Sequence, residues 1–423
     1  MNDYLTQLEE QLAELTERGA HRRPRRRSEA LAFLAAAAVA AAVVAIVVLN
    51  VGTGTPHRTS APATAGGQHA GTATAGTGTM GNGVYTIPQT TSAPSPATPT
   101  LPSRFYPQSF TAISELSWWV LGPAPCALAG LQSPCGAILR TTDGGRTFTP
   151  LQAPRASLAG RLSSSGYSQV RFADPLNGFA YGPDLYATHD GGTTWSPVDV
   201  GGAVNDLAIS AGVVYATVSP NDTDSGRLMR SPVGRDQWTT VSAAGQVSAG
   251  LWAQGANVLV QSGNGAGYGN DLLVSHDGGA TFATYPAPSP GLPCQFEGAA
   301  APDVWAYCAT GTESGVWLSH DGGATFASAE PAGAHLSLPN SAAFGAASGT
   351  TAVVGYQQLY RTADNGATWM PVGPSGIAQW VYIGFSDPTH GVAIGYVGSI
   401  STSNERLYYT TDGGQTYHLV QVG

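Results

Sequence analysis

An eight-residue phrase, Ser/Thr-x-Asp-Gly/Asn-Gly-x-Thr-aromatic, recurs six times in the last three-quarters of this chain. Its copies occupy residues 141–148, 188–195, 275–282, 319–326, 362–369 and 410–417, and a degenerate copy at 231–238 keeps only its two ends. Counted at the third position (Asp143, Asp190, Val233, Asp277, Asp321, Asp364, Asp412), the intervals are 47, 43, 44, 44, 43 and 48 residues. A fixed period of that length is one supersecondary unit repeated, and it restricts the chain to a propeller or a solenoid.

The phrase has a mechanical meaning. The hydroxyl at position one and the carboxylate at position three accept hydrogen bonds from the N–H groups of a tight turn. Positions four and five are Gly-Gly or Asn-Gly, the residues that tolerate positive φ, so a hairpin is expected. Thr and an aromatic then suit the strand that leaves it. Upstream lie short apolar runs, in the second unit at 169–174, 178–182 and 185–188, with a turn at 174–177. The last unit repeats them at 382–386, 391–396 and 407–410, with its turn at 387–390. Four strands per repeat, with the phrase between the third and fourth, make an all-β chain, and repeats of about 45 residues over 106–423 predict a seven-bladed propeller.

The phrase resembles the Asp box, or BNR repeat, of the sialidase-like propeller superfamily, with Asp143, Asp190, Asp277, Asp321, Asp364 and Asp412 as its structural acids. The Gly-aromatic pattern Gly178-Phe179 with Gly182 is similar to the propellers of the photosystem II assembly-factor family. That likeness implies a protein partner and a basic patch, for which Arg155, Arg161 and Arg171 are the candidates. A sialidase would hold a carboxylate with three arginines and use a Tyr–Glu pair with an Asp acid. Its Arg-Ile-Pro motif is missing, since Arg104-Phe105-Tyr106-Pro107 does not match, and no catalytic residue can be carried over.

The N-terminal quarter is different. Residues 30–49 are uninterrupted apolar residues, long enough at 1.5 Å each to span a bilayer core of about 30 Å. Arginines crowd 22–27 just before them and almost no charge follows, so the N-terminus is expected in the cytoplasm and the rest outside. A cleaved signal peptide is the competing reading, but the run exceeds the usual length of about 7–15 residues and lacks a nearby cleavage site. The expected organisation is a cytoplasmic segment at 1–29, a membrane helix at 30–51, a Gly/Ala/Thr/Pro-rich linker at 52–105 and the propeller at 106–423. Leu5, Leu8, Leu12 and Leu15 share one helical face in the first segment, which reads as a short coiled coil or a lone amphipathic helix.

Charged residues make up 11% of the chain, and outside residues 1–29 there are 21 acids against 12 arginines. An acidic outer domain argues against nucleic acid as a partner. The cysteines sit at 126, 135, 294 and 308, all beyond the apolar run. Their spacing pairs Cys126 with Cys135 and Cys294 with Cys308 in an oxidising compartment, with four buried thiols as the alternative.

Binding on a propeller belongs to irregular loops on the face opposite the phrase turns. There the candidates are Arg155, Arg161, Tyr167, Arg171, Tyr268, Glu313 and Glu405, unless those loops are simple decoration. No metal or cofactor is expected. His189, His276 and His320 fill the same slot in different copies, and residues 221–226 lack the distal Glu of a calcium loop. The expected function is a non-catalytic binding or assembly module for an envelope protein or a glycan. A sialidase-like glycoside hydrolase is the alternative; it requires two carboxylates, or a Tyr–Glu pair, converging beside the central channel. The sequence leaves the oligomeric state open.

Overall fold

The structure is a computed structural model that describes residues 105–125, 134–160, 163–220, 226–263, 268–298, 301–331, 336–398 and 404–422. These all fall in one compact unit. The expected cytoplasmic segment 1–29, membrane helix 30–51 and linker up to residue 104 lie outside the described residues, as do Cys126, Arg161 and residues 221–225. Among the described residues no helix is long and apolar enough to cross a membrane. Phe105, expected to end the linker, packs in a hydrophobic core instead.

Among the described residues the architecture is all-β, with one short 3-10 turn at Ser242–Ala244. Strands follow one another in antiparallel groups of four. The first group is β1 (Ser109–Ala112), β2 (Trp118–Ala124), β3 (Cys135–Thr141) and β4 (Thr149–Leu151). The second is β5 (Gln169–Phe172), β6 (Gly178–Tyr181), β7 (Leu185–Thr188) and β8 (Ser196–Val198). The third is β9 (Ala203–Ser210), β10 (Val213–Ser219), β11 (Gly226–Pro232) and β12 (Thr239–Thr240). The fourth is β13 (Gln246–Gln254), β14 (Asn257–Gly263), β15 (Tyr268–Ser275) and β16 (Ala283–Pro286). It joins the third through a short β11–β13 pairing at Gly226 and Arg227.

The fifth group is β17 (Cys294–Glu297), β18 (Val304–Ala309), β19 (Glu313–Ser319) and β20 (Ala327–Ser328), with β21 (Leu338–Pro339) added beside β19. The sixth is β22 (Ala343–Ala346), β23 (Ala352–Gly355), β24 (Leu359–Thr362) and β25 (Met370–Val372). The last is β26 (Ile377–Phe385), β27 (Gly391–Val397), β28 (Glu405–Thr410) and β29 (His418–Leu419).

In each group the eight-residue phrase turns the chain between third and fourth strands, as its chemistry requires. In the first copy the Thr141 hydroxyl donates to Asp143 Oδ1 at 2.7 Å and accepts from Gly145 N at 3.0 Å. Asp143 Oδ1 then accepts from the N–H groups of Arg146 and Thr147, and Oδ2 from the Thr147 hydroxyl at 2.6 Å. The two central positions have positive φ in every intact copy. Gly366 shows the second demand on that position: a Cβ there would lie 2.0 Å from the Ala329 carbonyl of the preceding group. The degenerate copy has a different bond: its seventh-position Gln237 N donates to Ser231 Oγ at 2.8 Å.

The second strand of each group is buried along nearly its whole length, β6, β18 and β23 completely. Both of its faces are covered by neighbouring sheets, so it reads as a continuous apolar run and not as an alternation. The fourth strands are exposed. Each hydrophobic cluster is shared by two successive groups. Trp119 stacks on Phe172 with centroids 4.1 Å apart between the first and second, and Tyr307 stacks on Phe344 between the fifth and sixth. One cluster joins the last group to the first, setting Val392, Ile394, Leu407 and Val420 against Phe110, Trp118, Val120 and Leu139. Cys294 and Cys308 face each other across β17 and β18 and are disulfide-bonded. Cys135 is disulfide-bonded as well.

Candidate functional site

The first strand of each group is the inner edge of its sheet and would leave N–H and C=O groups open. Neighbouring side chains close them. Ser109 and Thr111 on β1 accept from Val170 N and Phe172 N of β5. Asp206 on β9 accepts from Leu251 N of β13 at 3.3 Å. Gln261 accepts from Cys294 N, Gln295 donates to the Phe344 carbonyl, and Tyr382 donates to the Phe110 carbonyl. Polar residues on these strands therefore have a structural duty before any functional one.

Three charged groups exceed that duty. Arg171 on β5, Asp206 on β9 and Glu297 on β17 act on one another electrostatically, joined by Tyr181 on β6, Tyr268 on β15 and Tyr382 on β26. The second, fifth and last groups are not neighbours in the chain, so side chains from all three can interact only around a shared centre. Each of Arg171, Asp206 and Glu297 keeps partial solvent access while being enclosed by protein.

Enclosure sets their chemistry. Burial pushes the Asp206 carboxyl up to about 6, against the pull of Arg171 and two backbone N–H bonds. Burial likewise raises Glu297 to about 7, opposed by the Gln295 amide and by Arg171 and helped by the charge of Asp206. The Tyr181 oxygen, ahead of Tyr382 and Asp206, holds the Arg171 guanidinium charged more firmly than usual. Tyr382 is pushed up to about 12 by burial. Arg171 Nη2 donates to Tyr181 Oη at 3.4 Å, and Tyr181 passes a bond to Gln169 Oε1 at 2.9 Å. The set offers a fixed cation, two acids that exchange protons near neutrality, and phenols that remain protonated.

Of the loop-face candidates, the structure brings Arg171 and Tyr268 into this centre. Arg155 is exposed in the connection between β4 and β5, and Glu313 is exposed at the start of β19. Glu405 opens β28 half-buried, with Oε2 enclosed and without a hydrogen-bond partner among the described residues. Tyr167 is fully buried; its ring meets Tyr186 edge-on at 5.8 Å and its hydroxyl turns to the Pro154 carbonyl. Asp206, Glu297, Tyr181 and Tyr382 form the rest of the centre. The sequence carries no signal that pairs Glu297 with Asp206 across separate groups.

The histidine slot has an ordinary explanation. His189, His276 and His320 bond Asn177, Asn257 and Asp303 at 2.8, 2.6 and 2.7 Å, tying each phrase turn to the first hairpin turn of its own group. His189 also reaches Asp236 of the next group at 2.8 Å.

No family model matches the chain. A curated relative, the photosystem II assembly lipoprotein Ycf48 of Synechococcus sp. (strain CC9902), is 29% identical over 199 residues, 36% of this chain and 56% of the relative. The match thus spans little more than half of that protein's length. A solved structure described as YCF48 bound to D1 peptide aligns over 74% of this chain and 95% of its own, at 17% identity and a TM-score of 0.46. A Mycobacterium tuberculosis puromycin-hydrolysing peptidase aligns over 75% of this chain and 53% of its own, at 11% identity and a TM-score of 0.52, a likeness of fold alone. The resemblance carried by the repeat is met again in this curated photosystem II assembly protein, to which the chain is similar over that stretch.

Proposed function

We propose that the protein is a non-catalytic binding module for assembly, held at the cell membrane by residues 30–51 and displaying residues 106–423 outside as a closed seven-bladed propeller. Its partner is an envelope protein. The shared clusters between successive groups, and the one between last and first, support closure. The assembly role in the relative's name supports a protein partner over a glycan. The observation that carries the reading is the centre itself. Arg171, Asp206 and Glu297 arrive on separate groups, and both acids already hold hydrogen bonds from Leu207, Leu251 and Gln295. A recognition site organised before its ligand arrives loses less on binding.

The same two acids favour a second reading, a glycoside hydrolase, because one donor and one acceptor of protons near pH 7 is what such chemistry requires. The two readings separate in one experiment on the full chain in detergent. Offered fluorogenic glycosides, sialosides included, it is expected to release nothing above a heat-killed control. Release that Glu297→Gln abolishes would make it an enzyme. In cells, a photo-crosslinking residue at Arg155 is expected to trap a single envelope protein, and the absence of any adduct counts against docking.

A further inference from the structure

We infer that the central cluster binds a carboxylate group and takes it up together with a proton. The inference rests on the binding reading above and gives the chemistry of its site.

Arg171 is the reason. A guanidinium has five N–H donors in a planar fork and cannot shed its charge. Among the described residues its one hydrogen bond goes to Tyr181 at 3.4 Å, and its Nε is buried with no partner. An enclosed cation with donors to spare is expensive to keep unless something completes it. The protein's own acids do not. Asp206 accepts from Leu207 N at 2.8 Å with Oδ1 and from Leu251 N at 3.3 Å with Oδ2, while Glu297 Oε1 accepts from Gln295 at 3.0 Å. Both act on Arg171 through space without a hydrogen bond to it. A carboxylate fits the open side of such a fork.

An incoming anion meets two acids, and this is where the proton enters. The titratable groups acting on Arg171 are Tyr181, Asp206, Glu297 and Tyr382, and Tyr268 acts on Asp206; β1, β13 and β22 bring none to the centre. The tyrosines are raised and stay protonated. Like charges crowded into one enclosed site cannot all persist, so Glu297 takes the proton and donates its O–H to the guest carboxylate. Arg171 then balances the guest's charge.

The carboxylate has two possible sources, a small free acid or an acidic side chain of the protein partner. Titration calorimetry of the full chain in detergent, with succinate and with a Gly-Glu-Gly-Glu-Gly peptide as probes, tells them apart. Binding is expected to weaken by about tenfold per pH unit above pH 7, with uptake of about one proton measured in buffers of different ionisation heat. Arg171→Gln is expected to abolish binding. Glu297→Gln, which still offers an N–H, is expected to keep binding at high pH and lose the pH dependence. Peptide without succinate binding assigns the site to a partner's side chain; succinate binding assigns it to a free acid as well. No binding of either probe, binding without proton uptake, or full binding by an Arg171→Gln protein that melts normally overturns the inference. A crosslinked partner that persists without carboxylate binding would sink this inference and leave docking standing.

Discussion

The smallest unit of this protein's stability is a hydroxyl. In the fourth group Ser275 is buried, and its Oγ accepts from Gly279 N at 2.8 Å and donates to Asp277 Oδ1 at 2.8 Å. Ser275→Ala leaves the enclosed Gly279 N–H without a partner, a loss of about 1–3 kcal/mol measurable as a lower urea midpoint. Ser275→Thr should be nearly neutral, because Thr141, Thr188, Thr362 and Thr410 fill the same slot. An equal loss from both variants would show that volume matters there and not the hydrogen bond. This slot was legible in the sequence because all its partners lie within four residues. Tyr167 was not: nothing local distinguishes a loop tyrosine facing solvent from one buried under the connection between two sheets.

Between groups the arginines act as latches. Arg361 on β24 donates Nε to the Gly413 carbonyl in the last group's phrase turn at 2.7 Å, and Arg230 on β11 donates to Gly278 of the fourth at 2.7 Å. Arg140 on β3 lies over the Trp119 ring and close to Gly191 of the second group. Arg361 and Arg230 each carry a charged donor to a turn carbonyl of the next sheet. Arg361→Met keeps the stem and removes the donor, and is expected to cost about 1.5–3 kcal/mol in equilibrium unfolding. No loss would mean that water serves Gly413 equally well. The sequence placed Arg140 and Arg361 beside their own turns. It could not show that their partners belong to the following group, some fifty residues on.

Over the whole molecule two sets of acids respond to pH in opposite directions. The acids of the phrase turns are held below their ordinary 3.8 by hydrogen bonds, as for Asp143, Asp277 and Asp364. Their support for the fold is present above that value and is lost as the pH falls below it. Asp206 and Glu297, raised from 3.8 and 4.5 to about 6 and 7, bind more protons folded than unfolded. Their contribution is fully present below about pH 4 and is lost as the pH rises to about 7. Stability is therefore expected to decline from pH 5 to 7 in the native protein. The decline should flatten in the Asp206→Asn, Glu297→Gln double variant, read from thermal melts across that range. An unchanged slope would show that neither acid is held above its ordinary value.

The repeat, the phrase turns, the strand order and the Cys294–Cys308 pairing were all determined by the sequence. Each depends on hydrogen bonds, φ preferences or cross-strand neighbours that act within a few dozen residues, and such local physics is written in residue type and spacing. The centre was decided by tertiary structure. Arg171, Asp206 and Glu297 are ordinary residues on three inner strands, each with a plausible local role at a sheet edge. Only the succession of sheets around a shared centre brings them together and removes enough water to move two carboxylates toward neutrality. Enclosure and charge proximity are properties of the assembled sheets, and no spacing in the chain records them.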